Sequence, residues 1–156
     1  MVLKNYLISK VSLVFKHSLD DNGVECIVIE TTATGGIKGT TVDIKVDGQE
    51  YIHSDYIFGS VSTIANRKPL EELPFFKDDK WDLAASTATM PGAKNEKEGF
   101  LVVENHANKD SRVDNWSAVN VWGFQEFQGK KYYVRRVHFE SSGLTKDLLV
   151  IYDFKE

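Results

Sequence analysis

Three aromatic-rich segments within residues 115–154 constrain this chain more than any other feature, because they set arginines among side chains that strand alternation would bury. In Trp116–Phe127 one alternating face collects Trp116, Ala118, Asn120, Trp122 and Phe124. In residues 131–140 the face made of Tyr133, Arg135, Val137 and Phe139 is apolar except for one guanidinium. A permanent charge on such a face costs several kcal/mol unless it is paired or reaches water. Arg135 therefore implies an internal anion or a wet cavity, and the pattern points to a β barrel with something inside it.

The rest of the chain repeats the period-2 pattern with turn signals at the spacing of an antiparallel meander. Residues 11–17 and 24–32 flank Asp20-Asp21-Asn22-Gly23, and residues 37–46 and 49–58 flank Asp47-Gly48, the strongest two-residue hairpin signal. Further strands are expected over 81–87, 100–106, 116–127, 131–139 and 148–154, with Gln128-Gly129 closing a hairpin. Residues 69–73 read as the one helical turn, with Pro69 first and Pro74 after it, placed to cap or plug a barrel end. Residues 90–99 and 108–115 read as polar rim loops. Nine or ten sequential strands must hide their edges, and hairpin order favours an all-β, antiparallel up-and-down barrel of lipocalin or calycin type over a Greek-key sandwich. About eight strands already hold one small ligand.

At 156 residues the chain fits a single domain, residues 1–156, that needs no staple. Its aromatic content of 12% suits a lined pocket. The single cysteine, Cys26, cannot form an intrachain disulfide, which suits a reducing cytoplasm, and it reads as a small buried hydrophobe. The first fifteen residues carry lysines within an apolar run and read as a strand rather than a leader, and no apolar run approaches the length of a membrane span. A net charge of −4 argues against a general nucleic-acid binder. The run from Lys130 to Arg136 interleaves basic and aromatic residues as single-strand-binding surfaces do, but alternation splits its charges between two faces.

Four residues stand out as candidates for chemistry. His53 and Asp55 share a strand face with Tyr51, about 7 Å apart by strand rise. A carboxylate there would fix the tautomer of the imidazole and poise it as a general acid or base; the alternative, a solvated outer face, stays open because the opposite face is also apolar. Phe100, Val102, Glu104 and His106 share another face, where Glu104 is the natural bidentate partner of Arg135 and His106 a rim residue. In the last strand Tyr152 groups with Leu148, Val150 and Phe154, and Asp153 with Leu149 and Ile151. The expected ligand wall is Tyr51, Phe100, Trp116, Asn120, Trp122, Phe124, Tyr133, Phe139 and Tyr152. Arg67 reads as loop charge, with a reach over the barrel mouth as the alternative. No close His pair or Cys cluster supports a metal. The glycine run Gly35-Gly36-Ile37-Lys38-Gly39 opens no helix and reads as a bulged turn rather than a phosphate cradle.

Taken together, Gly35-Gly36-Ile37-Lys38-Gly39-Thr40, His53-Ser54-Asp55-Tyr56-Ile57-Phe58-Gly59, Trp122-Gly123-Phe124, Tyr133-Val134-Arg135-Arg136 and Tyr152-Asp153 resemble a family of small fungal lipocalin-like proteins. The resemblance implies a calycin-like barrel. Members of the broader group occur in secondary-metabolite pathways, some as cofactor-free cyclases, isomerases or pericyclases and others with no assigned reaction; no catalytic set transfers position by position.

Two functions follow as expectations. One is a cofactor-independent cyclase or isomerase acting on a hydrophobic polyketide- or terpenoid-like molecule, with His53, Asp55, Glu104 and Arg135 moving protons or stabilising charge. The other is a non-catalytic carrier using arginine as a carboxylate clamp. Both take a hydrophobic small molecule, no cofactor, no nucleic acid and no membrane, and both leave a homodimer open.

Overall fold

The computed structural model describes residues 11–33, 37–55, 57–88, 91–94 and 98–153. Strand takes up 65% of the described residues, all of it antiparallel, so the all-β class stands. Among the described residues nine strands run in order: β1 (Val11–Leu19), β2 (Glu25–Ala33), β3 (Ile37–Lys45), β4 (Tyr51–Asp55), β5 (Gly59–Lys68), β6 (Phe100–Ser111), β7 (Trp116–Phe127), β8 (Lys130–Ser141) and β9 (Leu144–Tyr152). They form two sheets of sequential neighbours, β1-β2-β3 and β4 through β9. The turn chemistry explains much of this. Asp20 Oδ1 accepts from the amides of Asn22 and Val24, and Gly23 takes φ +77° in the β1–β2 turn. Gln128 and Gly129, then Ser142 and Gly143, both take the paired positive φ of two-residue hairpins.

The expected closed barrel is not found: the described strands show no ladder joining β3 to β4, nor β9 to β1. Asp47-Gly48 does not make the hairpin its sequence suggests. Asp47 Oδ1 accepts from Gln49 N, while the Gly48 amide turns away to Ala65 O on β5 at 3.0 Å. The tight turn thus serves as the joint between the sheets. The sheets pack face to face through a shared core, with Ile27, Ile29, Ile44 and Val46 meeting Ala65, Leu101, Val103 and Trp122.

A second apolar layer lies on the opposite face of the larger sheet, and it corrects two expectations. Residues 81–87 are not a strand: Trp81 makes only an isolated bridge to Gln125, and α1 (Leu83–Ser86) is one helical turn, with Asp82 accepting from Ala85 N. The 3-10 turn Leu70–Glu72 follows Pro69 as expected, but it plugs no barrel end. Instead Leu73, Phe76 and Trp81 cover Phe100, Val102 and Val121 on the outside. The strap is pinned by ion pairs from Arg136 to Asp79 at 2.6 Å and from Lys131 to Asp82 at 2.6 Å. It lies so close at Gly123 that a Cβ would stand 2.9 Å from the Trp81 ring and from Ser86 Oγ. Phe76, at φ 64°, is strained, and its carbonyl accepts from Trp81 Nε1 and Asp79 N.

The N-terminal strand reading over residues 1–10, Gly35 and Gly36, Tyr56, Met90 and Phe154 lie outside the described residues.

Candidate functional site: a cavity between the sheets

The strand pleat turns one face of each sheet toward the other, and between them lies a cavity of about 470 Å³. The smaller sheet contributes aliphatic and threonine side chains, among them Val11, Leu13, Ile29, Thr31 and Val42. The larger sheet contributes the aromatics and nearly all the polar groups. Trp116, Asn120, Trp122, Arg135, Phe139, Tyr51 and Tyr152 line the cavity, as the alternation suggested. Trp122 is flanked by Tyr152, stacked at 5.9 Å between centroids, and Trp116 by Phe58 at 4.2 Å and Phe139 at 6.2 Å.

Four expected residues do not play their expected parts. Phe100 and Glu104 point to the outer face, because Leu101, Val103 and Asn105 take the inner one. Phe100 is buried against Trp81, and Glu104 sits 3.9 Å from Lys68 Nζ, so it is no partner of Arg135. Both faces of β6 are apolar because both are covered, which is why alternation could not choose between them. His106, on the same outer face, meets Glu50 at 3.0 Å. Phe124 and Tyr133 face inward but lie off the cavity wall, packed on each other at 4.8 Å, with Tyr133 also against Trp122 and Phe15. Burial pushes the Tyr133 hydroxyl up to about 12.

His53 and Asp55 both line the cavity, but they are not a dyad. Asp55 Oδ1 accepts from the amides of Ile57 at 2.7 Å and Phe58 at 2.9 Å, so the carboxylate caps the turn into β5. His53 is held by Thr63 instead, with Nε2 2.9 Å from Thr63 Oγ1. Asn105 Nδ2 donates to that same hydroxyl at 2.8 Å, and Asn120 Nδ2 donates to Asn105 Oδ1 at 3.0 Å and to the Val103 carbonyl at 3.1 Å. A polar ladder therefore crosses β7, β6, β5 and β4 on the cavity wall, with every donor oriented toward His53. The Thr63 hydroxyl, which accepts from Asn105 and keeps both a proton and a second lone pair, holds the His53 ring by Nε2 in either tautomer. Tyr51 reaches across the open seam, its hydroxyl donating to the Asp43 carbonyl at 3.1 Å, and burial pushes its pKa up to about 12.

One end of the space between the sheets is closed by a cluster the sequence reading missed. Glu25 is completely buried at the start of β2. Arg67 on β5 grips it with two bonds, Nε to Oε2 at 3.0 Å and Nη2 to Oε1, and also donates to the Gly99 carbonyl. His17 Nδ1 stands 3.7 Å from the same carboxylate. Burial alone would raise the Glu25 pKa; the hydrogen bonds and charges of His17 and Arg67 overcome it and hold it at about 2. The usable signal was the β5 alternation, Val61, Thr63, Ala65, Arg67, which puts Arg67 on the inner face.

Arg135 contrasts with it. Its guanidinium lies 5.2 Å over the Trp122 ring, and among the described residues no hydrogen bond or ion pair engages it; Nε is buried with no partner. Among the described residues, Trp116 Nε1 is the other buried donor in the cavity wall with no acceptor. The basic stripe of β8, by contrast, is neutralised: Lys130 meets Asp153 at 2.8 Å, and Lys131 and Arg136 hold the strap. Among the described residues, no group of three His, Cys, Asp or Glu side chains could hold a metal ion, and no helix is long and apolar enough to cross a membrane.

No protein-family model, no curated protein and no solved structure matches this chain.

Proposed function

We propose that this chain binds a hydrophobic small molecule in the cavity between its sheets, and that it acts as a carrier or sequestering protein. The observation that carries this reading is the cavity wall itself: about 470 Å³ bounded by Trp116, Phe139, Trp122 and Tyr152, with a few polar groups converging on it. That combination is the usual make-up of a small-molecule site. A lipocalin-like arrangement of the two sheets, open at the seams named above, and a cytoplasmic location would suit such a carrier. The test is a ligand panel read by intrinsic fluorescence, since Trp116 and Trp122 line the cavity while Trp81 lies in the outer strap. Saturable quenching by apolar ligands that vanishes when Ala118 on the cavity wall is enlarged to Trp supports the reading; no saturable response to any of them refutes it.

A second reading is a cofactor-independent isomerase or cyclase, and the His53–Thr63–Asn105–Asn120 ladder is what favours it. It sets one imidazole in a fixed orientation at an apolar wall. Incubation with polyketide- or terpenoid-like substrates would then give a product of unchanged mass, and His53→Ala would lower turnover by about two to four orders of magnitude.

A further inference from the structure

Resting on the binding reading above, we propose that the ligand is an elongated apolar molecule with an anionic group, a carboxylate in the simplest case, at one end and a neutral hydrogen-bond acceptor at the other. Arg135 would receive the first and Trp116 the second.

Among the described residues, the fold leaves two donors of the cavity wall unsatisfied. Trp116 is only 5% exposed, yet among the described residues its indole N–H has no acceptor, and a buried donor without a partner is destabilising. Arg135 is the heavier case, since its charge is permanent and no described carboxylate neutralises it. The chain is able to pair an inward arginine when the role is structural, as Arg67 and Glu25 show. The ring face of Trp122 offsets part of the cost for Arg135, but it uses no N–H. A ligand carboxylate is the planar acceptor that a guanidinium fork fits.

Register places the two donors apart. Arg135 lies opposite Trp122 and Trp116 opposite Ser141, so they are separated by six residues of β7, about 20 Å along the strand. The side chains lining the cavity between these levels are Ala118, Asn120 and Phe139 on β7 and β8, faced by the aliphatic wall of β1 to β3. A compact ligand would satisfy one donor; an extended one with acceptors at both ends satisfies both. The polar ladder lies between these levels, and its amides are already engaged with one another, so the middle of the ligand meets few free donors.

The experiment compares laurate, lauryl alcohol and ω-hydroxylaurate at neutral pH on the full chain, by tryptophan fluorescence and calorimetry. Laurate should bind roughly ten- to a hundredfold more tightly than the alcohol, the range for a hydrogen bond to a charged group. Arg135→Met should abolish that preference while leaving alcohol binding in place. ω-Hydroxylaurate should bind several-fold more tightly than laurate, and Trp116→Phe, which keeps the ring and removes the N–H, should erase only that gain. If none of the three binds, the binding reading itself fails. If acid and alcohol bind equally, or the acid preference survives in Arg135→Met, the cavity stands and the anionic ligand class is overturned. If the hydroxyl brings no gain, the Trp116 half is overturned. Should Arg135→Met not fold, the wild-type acid-to-alcohol ratio decides the first half alone.

Discussion

Two arginines face the interior of this molecule, and the chain treats them in opposite ways. Arg67, at the closed end, meets a fully buried carboxylate with two hydrogen bonds and a backbone carbonyl with a third. Arg135, in the cavity wall, lies over an aromatic ring with its Nε unsatisfied. The same side chain on the same side of the same sheet is structural where its charge is answered from within and available to a ligand where it is not. Burial alone does not separate these cases; the acceptor inventory does.

The comparison breaks most visibly at the sealed end. Arg67→Met strands Glu25 as an uncompensated buried charge and should cost about 3–5 kcal/mol in urea denaturation, most of it recovered in a Glu25→Leu/Arg67→Met double variant of similar volume. A loss under 1 kcal/mol would mean that the pair is no lock.

Acid titrates the same pair. Because the folded pKa of Glu25, about 2, lies below its ordinary 4.5, the unfolded chain takes up the proton first as pH falls. The pair's contribution is therefore fully present above about pH 4.5 and declines as pH drops toward 2, by about 3 kcal/mol in all. The stability difference between wild type and Glu25→Gln should narrow over this window. A difference that narrows only near neutrality would point to a different titrating group.

Glu104→Gln carries the smallest expected effect and separates the two arginines most cleanly. Glu104 is partly exposed and, among the described residues, its only ion pair, to Lys68, is long at 3.9 Å, so the change should stay within about 0.5 kcal/mol. If Glu104 were the internal partner of Arg135, the loss would instead resemble that of Arg67→Met.

The same contrast shows how far the sequence can be read. Alternation placed Arg135, Trp116, Asn120, Trp122 and Phe139 on the cavity wall because β7 and β8 are long and their inner faces, Asn120 and Arg135 apart, are apolar or aromatic. It failed at β5, where Ser60, Ser62, Thr63 and Asn66 interrupt the apolar pattern; Ser62 and Thr63 are buried, and Ser60, Ser62 and Thr63 are hydrogen-bonded to Asn108 and Asn105 of β6, far away in sequence. Missing β5 turned Arg67 into loop charge, although the argument applied to Arg135 would have placed it inside. Its partner Glu25 lies 42 positions away, a pairing no local spacing reveals. Residues 81–87 read as a strand because Trp81, Leu83 and Ala85 alternate, yet Asp82 caps a helical turn there. The faces of β6 could not be ranked, since the strap covers the outer one and makes Phe100 as apolar a position as Leu101.

The most direct test follows the stability of wild type and Arg135→Met with and without laurate. Without ligand, Arg135→Met should be as stable as wild type or more so, because it removes an unanswered charge from an apolar wall. Saturating laurate should raise the wild-type unfolding free energy by about 2.7 kcal/mol at a hundred times its Kd, and should stabilise the variant far less at the same concentration. A variant that unfolds as readily as Arg67→Met, or one that laurate stabilises as strongly as wild type, would contradict the assignment of Arg135 to the ligand.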